Sequence, residues 1–299
     1  MLKKIIHVFL FLLLIICLGC QEKQKNQEIG IVFRLVLQAN PSNKVWLAGD
    51  MFRKEIEKRS ESRIQVMFYD KGVLGAERQI LEACYLGILE MVLITSSVVT
   101  TIDPVMSTLD MPYLFIDENH HQKILNGDIG RELLDNLTHV RFKGLAFYSC
   151  NFRHIFNSKR PIYSPDDLNG LKIRVMESPI MIESLNCMGA SATPISASEL
   201  YSSLKTGVVD GAENNAQLFN AAHLSDSCKF FSKTGHFANQ MMLIANNSWF
   251  GSLPTEFQTM ISETARDIIP EYNRRWNEVF RDAFSYMEKQ DVNVNDITD

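Results

Sequence analysis

The stretch Gly207–Asn215, GVVDGAENN, places one aspartate, one glutamate and two asparagines within six residues. Such side chains can bind a metal ion, act as an acid–base pair, or form hydrogen bonds to a ligand. A calcium loop needs oxygen ligands at alternate positions, and Gly211 and Ala212 offer no side-chain oxygen. Asp210 and Glu213 could form an enzyme's acid–base pair, but no recognisable nucleophile or metal motif lies nearby. The pattern therefore favours the rim of a binding pocket.

A second chemically informative residue is Arg174, in the predicted strand LKIRV. It alternates with Ile173 and Val175 and therefore points to the opposite face of the strand. A buried guanidinium without an anionic partner is energetically costly. The partner is either an internal acid, with Glu177 and Glu183 as candidates, or a ligand carboxylate, which the planar guanidinium can hold through two hydrogen bonds.

The templates of several enzyme classes are missing from the sequence. It has no H-E-x-x-H zinc helix, no G-x-S-x-G elbow, no G-x-x-x-x-G-K-[ST] loop and no G-x-G-x-x-G turn. The adjacent pair His120–His121 cannot easily share a metal, because neighbouring residues diverge by about 100° around a helix. We interpret Glu118–His121 as a solvated helix start. We expect no metal, no cofactor and no enzymatic activity.

The elements that position these residues alternate between strands and helices. IVFRLVLQ, RIQVMFY and EMVLIT read as strands, and two predicted helices separate them, over VWLAGDMFRKEIEK and Glu77–Leu86. Repeated strand–helix–strand order predicts an α/β fold with mostly parallel sheets. The pattern restarts near Cys150, with GLAFYS and HIFNSKRPI as two strands, which places a domain boundary there. A long helical pattern from Pro254 to about Gln290, interrupted by Pro270, is long enough to lie across both domains.

The N-terminus has the pattern of an export signal. Residues 1–20, MLKKIIHVFLFLLLIICLGC, combine two lysines, a short apolar run and a small residue before Cys20. They resemble a bacterial lipoprotein signal in which Cys20 is lipidated, and residues 21–31 read as a linker. Ordinary cleavage without a lipid, and a C-x-x-C redox pair formed by Cys17 and Cys20, are the alternatives. Four further cysteines, Cys84, Cys150, Cys187 and Cys228, allow disulfides in an exported protein, and buried free thiols are the default expectation.

The composition limits the kinds of molecule that the protein is expected to bind. The chain has 299 residues and a formal net charge of −5, without a block of lysine or arginine. A mildly acidic chain of this kind argues against nucleic acid as a partner. The length is sufficient for one large domain or two moderate ones.

Three stretches resemble the solute-binding proteins of tripartite ATP-independent periplasmic (TRAP) transporters, the DctP family. They are GVLGAERQILEACYLGILEMVL, FYSCNFRHIFNSKRPIYSPDDLNGLKIRVMESP and MGASATPISASELYSSLKTGVVDGAENN. The similarity runs from about Val32 to Lys289. It implies a two-lobed periplasmic-binding-protein-like fold with an interlobe cleft and a long C-terminal helix spanning both lobes. Lobe I would comprise residues 32–150 and about 239–279, and lobe II residues 151–238 and about 280–299.

The resemblance also implies a ligand site. Arg174 would be the principal carboxylate-binding residue, with Arg153 as a second cationic contact and Asn214 orienting the same carboxylate. The remaining contacts would come from Glu77, Gln38, Thr95 and Met176. Asp210 and Glu213 would hold the loop or the lobe interface. Ala197 stands where many members carry an aromatic that stacks on the ligand, so the pocket is either wider here or closed by another residue.

The function that the resemblance implies is capture of a small organic-acid anion and its delivery to TRAP membrane permease subunits. GAENN together with RVMES resembles the branch that binds sugar acids such as uronates and aldonates. The protein would be a monomer in the periplasm or on the extracytoplasmic face, held to the membrane only through lipidated Cys20. The alternatives are a binding lipoprotein that reports its ligand to a membrane receptor kinase and, more distantly, an extracytoplasmic enzyme.

Overall fold

The computed structural model describes residues 30–39, 41–42 and 45–298. The predicted signal peptide, with Cys20, and most of the predicted linker lie outside the described residues. No helix in the described part of the chain is long and apolar enough to cross a membrane.

The described strands form one continuous mixed sheet. They are β1 Ile31–Val36, β2 Ile64–Tyr69, β3 Met91–Thr95, β4 Phe142–Asn157, β5 Lys172–Val175, β6 Ser191–Pro194, β7 Gly211–Asn214, β8 Phe230–Asn246 and β9 Asn293–Asp296. Their order across the sheet is β2–β1–β3–β8–β4–β7–β5–β6, with β9 beside β8. Five strand pairings are parallel and three are antiparallel, which confirms the predicted α/β fold with mostly parallel pairing.

Helices cover the sheet and follow most strands in the predicted order. They are α1 Trp46–Arg59, α2 Glu77–Tyr85, α3 Ser96–Val99, α4 Glu118–Leu125, α5 Asp128–Asn136, α6 Pro179–Cys187, α7 Leu200–Lys205, α8 Ala216–Ala221, α9 Asn247–Ser252, α10 Thr255–Asp267, α11 Ile269–Arg281 and α12 Ala283–Glu288. Short 3₁₀ turns connect several of them, including Pro104–Asp110 and Ala197–Glu199.

Two long strands join the lobes. β4 has 16 residues and β8 has 17, and they pair antiparallel along most of their length. The C-terminal half of β8 pairs with β3 in lobe I, whereas the C-terminal end of β4 pairs with β7 in lobe II. The two lobes are therefore halves of one sheet, and the residue limits given above for each lobe stay a prediction.

The prediction of two separate strands, GLAFYS and HIFNSKRPI, was wrong. One strand, β4, runs through both, and its pairing with β8 shifts register between Ser149 and Phe152. Asn151 has φ +62°, a left-handed conformation that asparagine tolerates better than most residues. This irregularity bends a continuous strand where the pattern suggested a new start.

The C-terminal helical segment is confirmed, as three consecutive helices. The break between α10 and α11 falls at Ile268, two residues before Pro270. Proline lacks an N–H and is tolerated in the first turn of a helix, so Pro270 ends one helix and starts the next. Ile261 and Trp276 pack in the lobe I core, and Met287 packs in the lobe II core. The segment therefore spans both lobes.

The interpretation of Glu118–His121 as a solvated helix start is half right. Helix α4 begins there, capped by Asp117, but the His121 side chain is fully buried. Its ring lies 2.9 Å from Gln240 Oε1 and 3.1 Å from Ser149 Oγ. The ring turns inward because β4 and β8 supply polar partners below the helix, which the local sequence does not show.

Candidate functional site

The sheet brings the predicted site residues to one cleft between the lobes. β5 and β7 are parallel neighbours, and Asn214 is the last residue of β7. β4 pairs on the other side of β7 with His154 opposite Asn214, which places Arg153 beside them. The cleft contains a cavity of about 960 Å³. All seven predicted ligand residues line it: Gln38, Glu77, Thr95, Arg153, Arg174, Met176 and Asn214.

Arg174 is a buried cation with an unused donor. Its side chain is 1% exposed, and its Nε donates to the Ile195 carbonyl at 2.7 Å. Nη1 is buried without a hydrogen-bond partner. Burial lowers the pKa of Arg174 to about 10, against the opposing effect of nearby acids such as Glu213, so the guanidinium stays charged at neutral pH.

The alternative in which an internal acid neutralises Arg174 is not realised by Glu177. That carboxylate accepts instead from Arg78 Nη1 at 3.1 Å, across the mouth of the cleft. Among the described residues no carboxylate forms an ion pair with Arg174. Arg174 lines the cavity, and its buried Nη1 atom has no hydrogen-bond partner among the described residues.

Arg153 enters the site with its charge balanced. It is 2% exposed and forms an ion pair with Glu213, whose side chain is fully buried. Its Nη2 donates to Glu213 Oε1 at 2.8 Å and to the Glu213 carbonyl at 3.1 Å. Its Nη1 donates to Asn239 Oδ1 at 3.2 Å, which leaves one Nη1 proton for another acceptor.

The two acids of the stretch Gly207–Asn215, Asp210 and Glu213, form structural contacts. Glu213 holds Arg153, as described above. Asp210 accepts from the Lys172 backbone N–H at 3.0 Å and lies 3.4 Å from Lys159 Nζ. The Asp210 contact holds the start of β7 against β5, and the Glu213 ion pair holds β7 against β4. Asn214 and Asn215 of this stretch line the cavity, and the Asn215 side chain is occupied by Leu218 and Cys150.

Asn214 and Met176 complete the lobe II wall. Asn214 is 4% exposed, and its Oδ1 accepts from the Asn215 N–H at 2.8 Å. Within the described chain its amide nitrogen donates to no residue and lies free for a ligand oxygen. Met176, 6% exposed, comes directly after the end of β5, two residues beyond Arg174, and adds an apolar surface to the cavity wall.

Lobe I contributes a carboxylate that is already oriented. Glu77 Oε1 accepts from both the backbone N–H and the Oγ1 of Thr95, each at 3.0 Å. Burial raises the pKa of the Glu77 carboxyl, and the Thr95 hydrogen bonds and the Arg174 charge oppose that rise. Oε2 forms no hydrogen bond to a described residue, so it can accept from a ligand hydroxyl. Gln38, which follows β1, lies in the same wall.

Sequence reasoning missed several cavity residues. Asn239 and Met241 on β8 line the cavity, and Asn239 also holds Arg153. The polar pair in FANQMML, within an otherwise apolar strand, was the available signal. Tyr201 on α7 also lines the cavity, four residues after Ala197.

Three contacts join the lobes across the cleft. Arg78 reaches Glu177, as described above, and Gln217 Nε2 donates to the Ser42 carbonyl at 3.1 Å. Buried Asp110 accepts from Ser97 in lobe I at 2.7 Å and from Ser178 in lobe II at 2.6 Å. The lobes of this structure are therefore in contact around the cavity.

The described residues contain no group of three or more histidine, cysteine, aspartate or glutamate side chains placed to hold a metal ion. The polar groups around the cavity are suited to bind an oxygen-rich anion through hydrogen bonds.

Comparison with known proteins gives the family. Residues 36–299 match the family model of DctP, described as bacterial extracellular solute-binding protein, family 7. A solute-binding protein of Verminephrobacter eiseniae is 37% identical over 74% of this chain and 66% of its own length. The chain thus spans about two thirds of that relative.

Two solved structures share the fold and 29% of their sequence with this chain. One is a TRAP periplasmic solute binding protein from Citrobacter koseri with bound D-glucuronate, with a TM-score of 0.85 over 89% of each chain. The other is from Xanthobacter autotrophicus with bound β-D-galacturonate, with a TM-score of 0.86 over 89% of each chain. The fold, the two lobes and the family model agree, and the chain belongs to the DctP family of TRAP-type extracellular solute-binding proteins.

Proposed function

We propose that this protein captures a sugar-acid monoanion, such as a uronate or aldonate, and delivers it to TRAP membrane permease subunits. The observation that carries the proposal is the buried Nη1 of Arg174, which has no partner. A buried guanidinium donor in a cavity wall is stabilised when a carboxylate binds there. The ligands of the related Citrobacter koseri and Xanthobacter autotrophicus structures, D-glucuronate and β-D-galacturonate, are of this class.

The charges of the cavity wall favour one carboxylate. Arg78 is paired with Glu82 and Glu177, and Arg153 is paired with Glu213. In the described wall, Arg174 is the deeply buried guanidinium without an ion-pair partner. A second carboxylate on a short ligand would approach the acids of the wall and be repelled. Dicarboxylates are therefore expected to bind more weakly than hydroxylated monocarboxylates.

Each predicted residue has a role that its contacts allow. Arg174 holds the carboxylate, which the free amide of Asn214 orients, and Arg153 adds its spare Nη1 proton. Two or three such hydrogen bonds, at about 1.5–3 kcal/mol each, supply much of the ~8 kcal/mol that micromolar affinity requires. Glu77, positioned by Thr95, accepts from a ligand hydroxyl, and the remaining contacts come from Gln38 and Met176.

Capture would proceed by closure of the lobes. β4, β8 and the C-terminal helices connect the lobes and act as the hinge, and the contacts across the cleft form as it closes. The residue limits proposed for the lobes are 32–150 with about 239–279, and 151–238 with about 280–299. We place the protein on the extracytoplasmic face, as a monomer anchored by lipid on Cys20.

A thermal-shift and calorimetric screen tests the proposal. D-Glucuronate, D-galacturonate, D-gluconate and succinate are each added to the purified protein. A ligand at about one hundred times its Kd should stabilise the folded state by about 2.7 kcal/mol. We expect this with the sugar acids and not with succinate, and we expect Arg174→Ala to abolish it without unfolding the free protein.

Arg34→Ala is the matched control, because Arg34 pairs with Glu90 outside the cavity. It should keep the ligand-induced stabilisation. A native protein that responds to no carboxylate would refute the proposed function, and an Arg174→Ala variant that still binds would refute the role of Arg174.

A further inference from the structure

The cavity is larger than the subsite formed by Arg174, Asn214 and Glu77. Its volume is about 960 Å³, and part of it is open to solvent although the lobes touch through Arg78 and Asp110. Pockets of about 300–1,000 Å³ enclose ligands of drug size, and a hexuronate, with about 13 non-hydrogen atoms, is roughly half that size. One sugar acid would leave much of this cavity filled with water.

The remaining wall has the chemistry of a sugar-binding surface. Tyr201 is 42% exposed and lines the cavity from α7. An exposed aromatic ring offers a flat apolar face, with a hydroxyl at its edge, to the C–H face of a pyranose. Ala197, four residues earlier, contributes only a methyl group, so the space beside Tyr201 stays open. Leu218 on α8 adds a further apolar contact.

The other charges of the cavity wall argue against a second acid unit. Besides the predicted ligand residues, the wall contains the cations Lys71 and Arg78 and the acids Glu82, Glu177 and Glu199. Arg78 is paired with Glu82 and Glu177, so the balance of these charges is slightly acidic. The second surface therefore suits a neutral, hydroxyl-rich unit.

We infer that the cavity binds an acidic disaccharide, with the acid unit on Arg174 and a neutral sugar unit on Tyr201. This inference rests on the proposed function, because it assigns the carboxylate to Arg174. The inference goes beyond the proposed function in the size of the ligand, because the preferred solute has two sugar units. A monosaccharide acid would occupy only the inner subsite, which is formed by Arg174, Asn214 and Glu77.

Calorimetric titration of the purified protein separates the two ligand sizes. The probes are cellobionate, maltobionate and cellobiouronate, compared with D-gluconate and D-glucuronate. We expect at least one disaccharide acid to bind more tightly than both monosaccharide acids, by about ten-fold. Equal or weaker binding of all three disaccharide acids overturns the inference while leaving the proposed function in place. Failure of both ligand classes refutes the proposed function and this inference with it.

Two variants test the position of the second subsite. Tyr201→Ala should weaken disaccharide binding about ten-fold and change monosaccharide binding less than two-fold. Tyr286→Ala is the matched control, since Tyr286 is also helical and 45% exposed but lies outside the cavity wall. Ala197→Phe, at an exposed position, should fill the space and abolish disaccharide binding while monosaccharide acids still bind. Equal losses for both ligand sizes in Tyr201→Ala would place Tyr201 in the inner subsite and overturn the inference.

Discussion

Removal of the Glu213 charge should destabilise the protein strongly. Glu213→Gln keeps the shape of the side chain but leaves the Arg153 guanidinium, 2% exposed, without its counter-charge. Both side chains are buried, so solvent does not screen their interaction. Breaking such a pair costs about 3–5 kcal/mol. Because domains are stable by only about 5–15 kcal/mol, this is a large share of the total.

Urea unfolding at neutral pH, followed by circular dichroism, measures the effect. The control is Glu271→Gln, which removes an exposed partner of Arg274 and Arg275 and should leave the midpoint unchanged within error. Replacement of the whole pair, with Arg153→Met and Glu213→Leu together, should recover part of the loss because no lone charge remains buried. Unfolding of Glu213→Gln at the same urea concentration as Glu271→Gln would show that the buried charge pair does not stabilise the protein.

Further predictions concern the ligand, the cleft, pH and the thiols. Arg174→Lys should bind D-glucuronate at least ten-fold more weakly in calorimetry, since an ammonium cannot reproduce the guanidinium fork; near-native affinity would contradict a bidentate contact. Arg78→Ala removes a half-exposed interlobe pair, so ligand affinity should fall by only two- to five-fold, and a complete loss of binding would contradict this. Burial raises the pKa of Asp110 to about 6, above its unfolded value, so its contribution to stability should fall as pH rises from about 4 to 6. Asp110→Asn should flatten that part of the profile in urea unfolding, and an unchanged slope would refute the assignment. Exposed Cys187 should react with iodoacetamide, whereas Cys150, whose pKa burial raises to about 12, should not; peptide mass mapping distinguishes them.

Local pattern was sufficient for most elements. The alternation in RIQVMFY and the spacing in VWLAGDMFRKEIEK each report burial on one face, and both predicted elements formed as expected. The motif around Arg174 and Asn214 predicted two residues that the parallel pairing of β5 and β7 brings together. Such predictions succeed when residues close together in the sequence are enough to determine the secondary structure and the buried face.

Other features depend on distant partners. The burial of His121 requires Gln240, more than a hundred residues away, and the pairing of Arg153 with Glu213 spans 60 residues. The continuity of β4 through Asn151 depends on β8, which templates both halves of the strand. No local pattern contains these contacts, so the sequence predicted Arg153 as a ligand contact without its ion pair and β4 as two strands.

Because β4 and β8 cross from one lobe to the other, neither lobe can be separated from its partner as an independent folding unit. A gene fragment that ends at the lobe boundary would leave half of each crossing strand without its neighbours, and the exposed edges would invite aggregation. In folded chimaeras of two relatives, the exchanged segments should therefore be surface loops. Both halves of the binding site should come from the same parent protein.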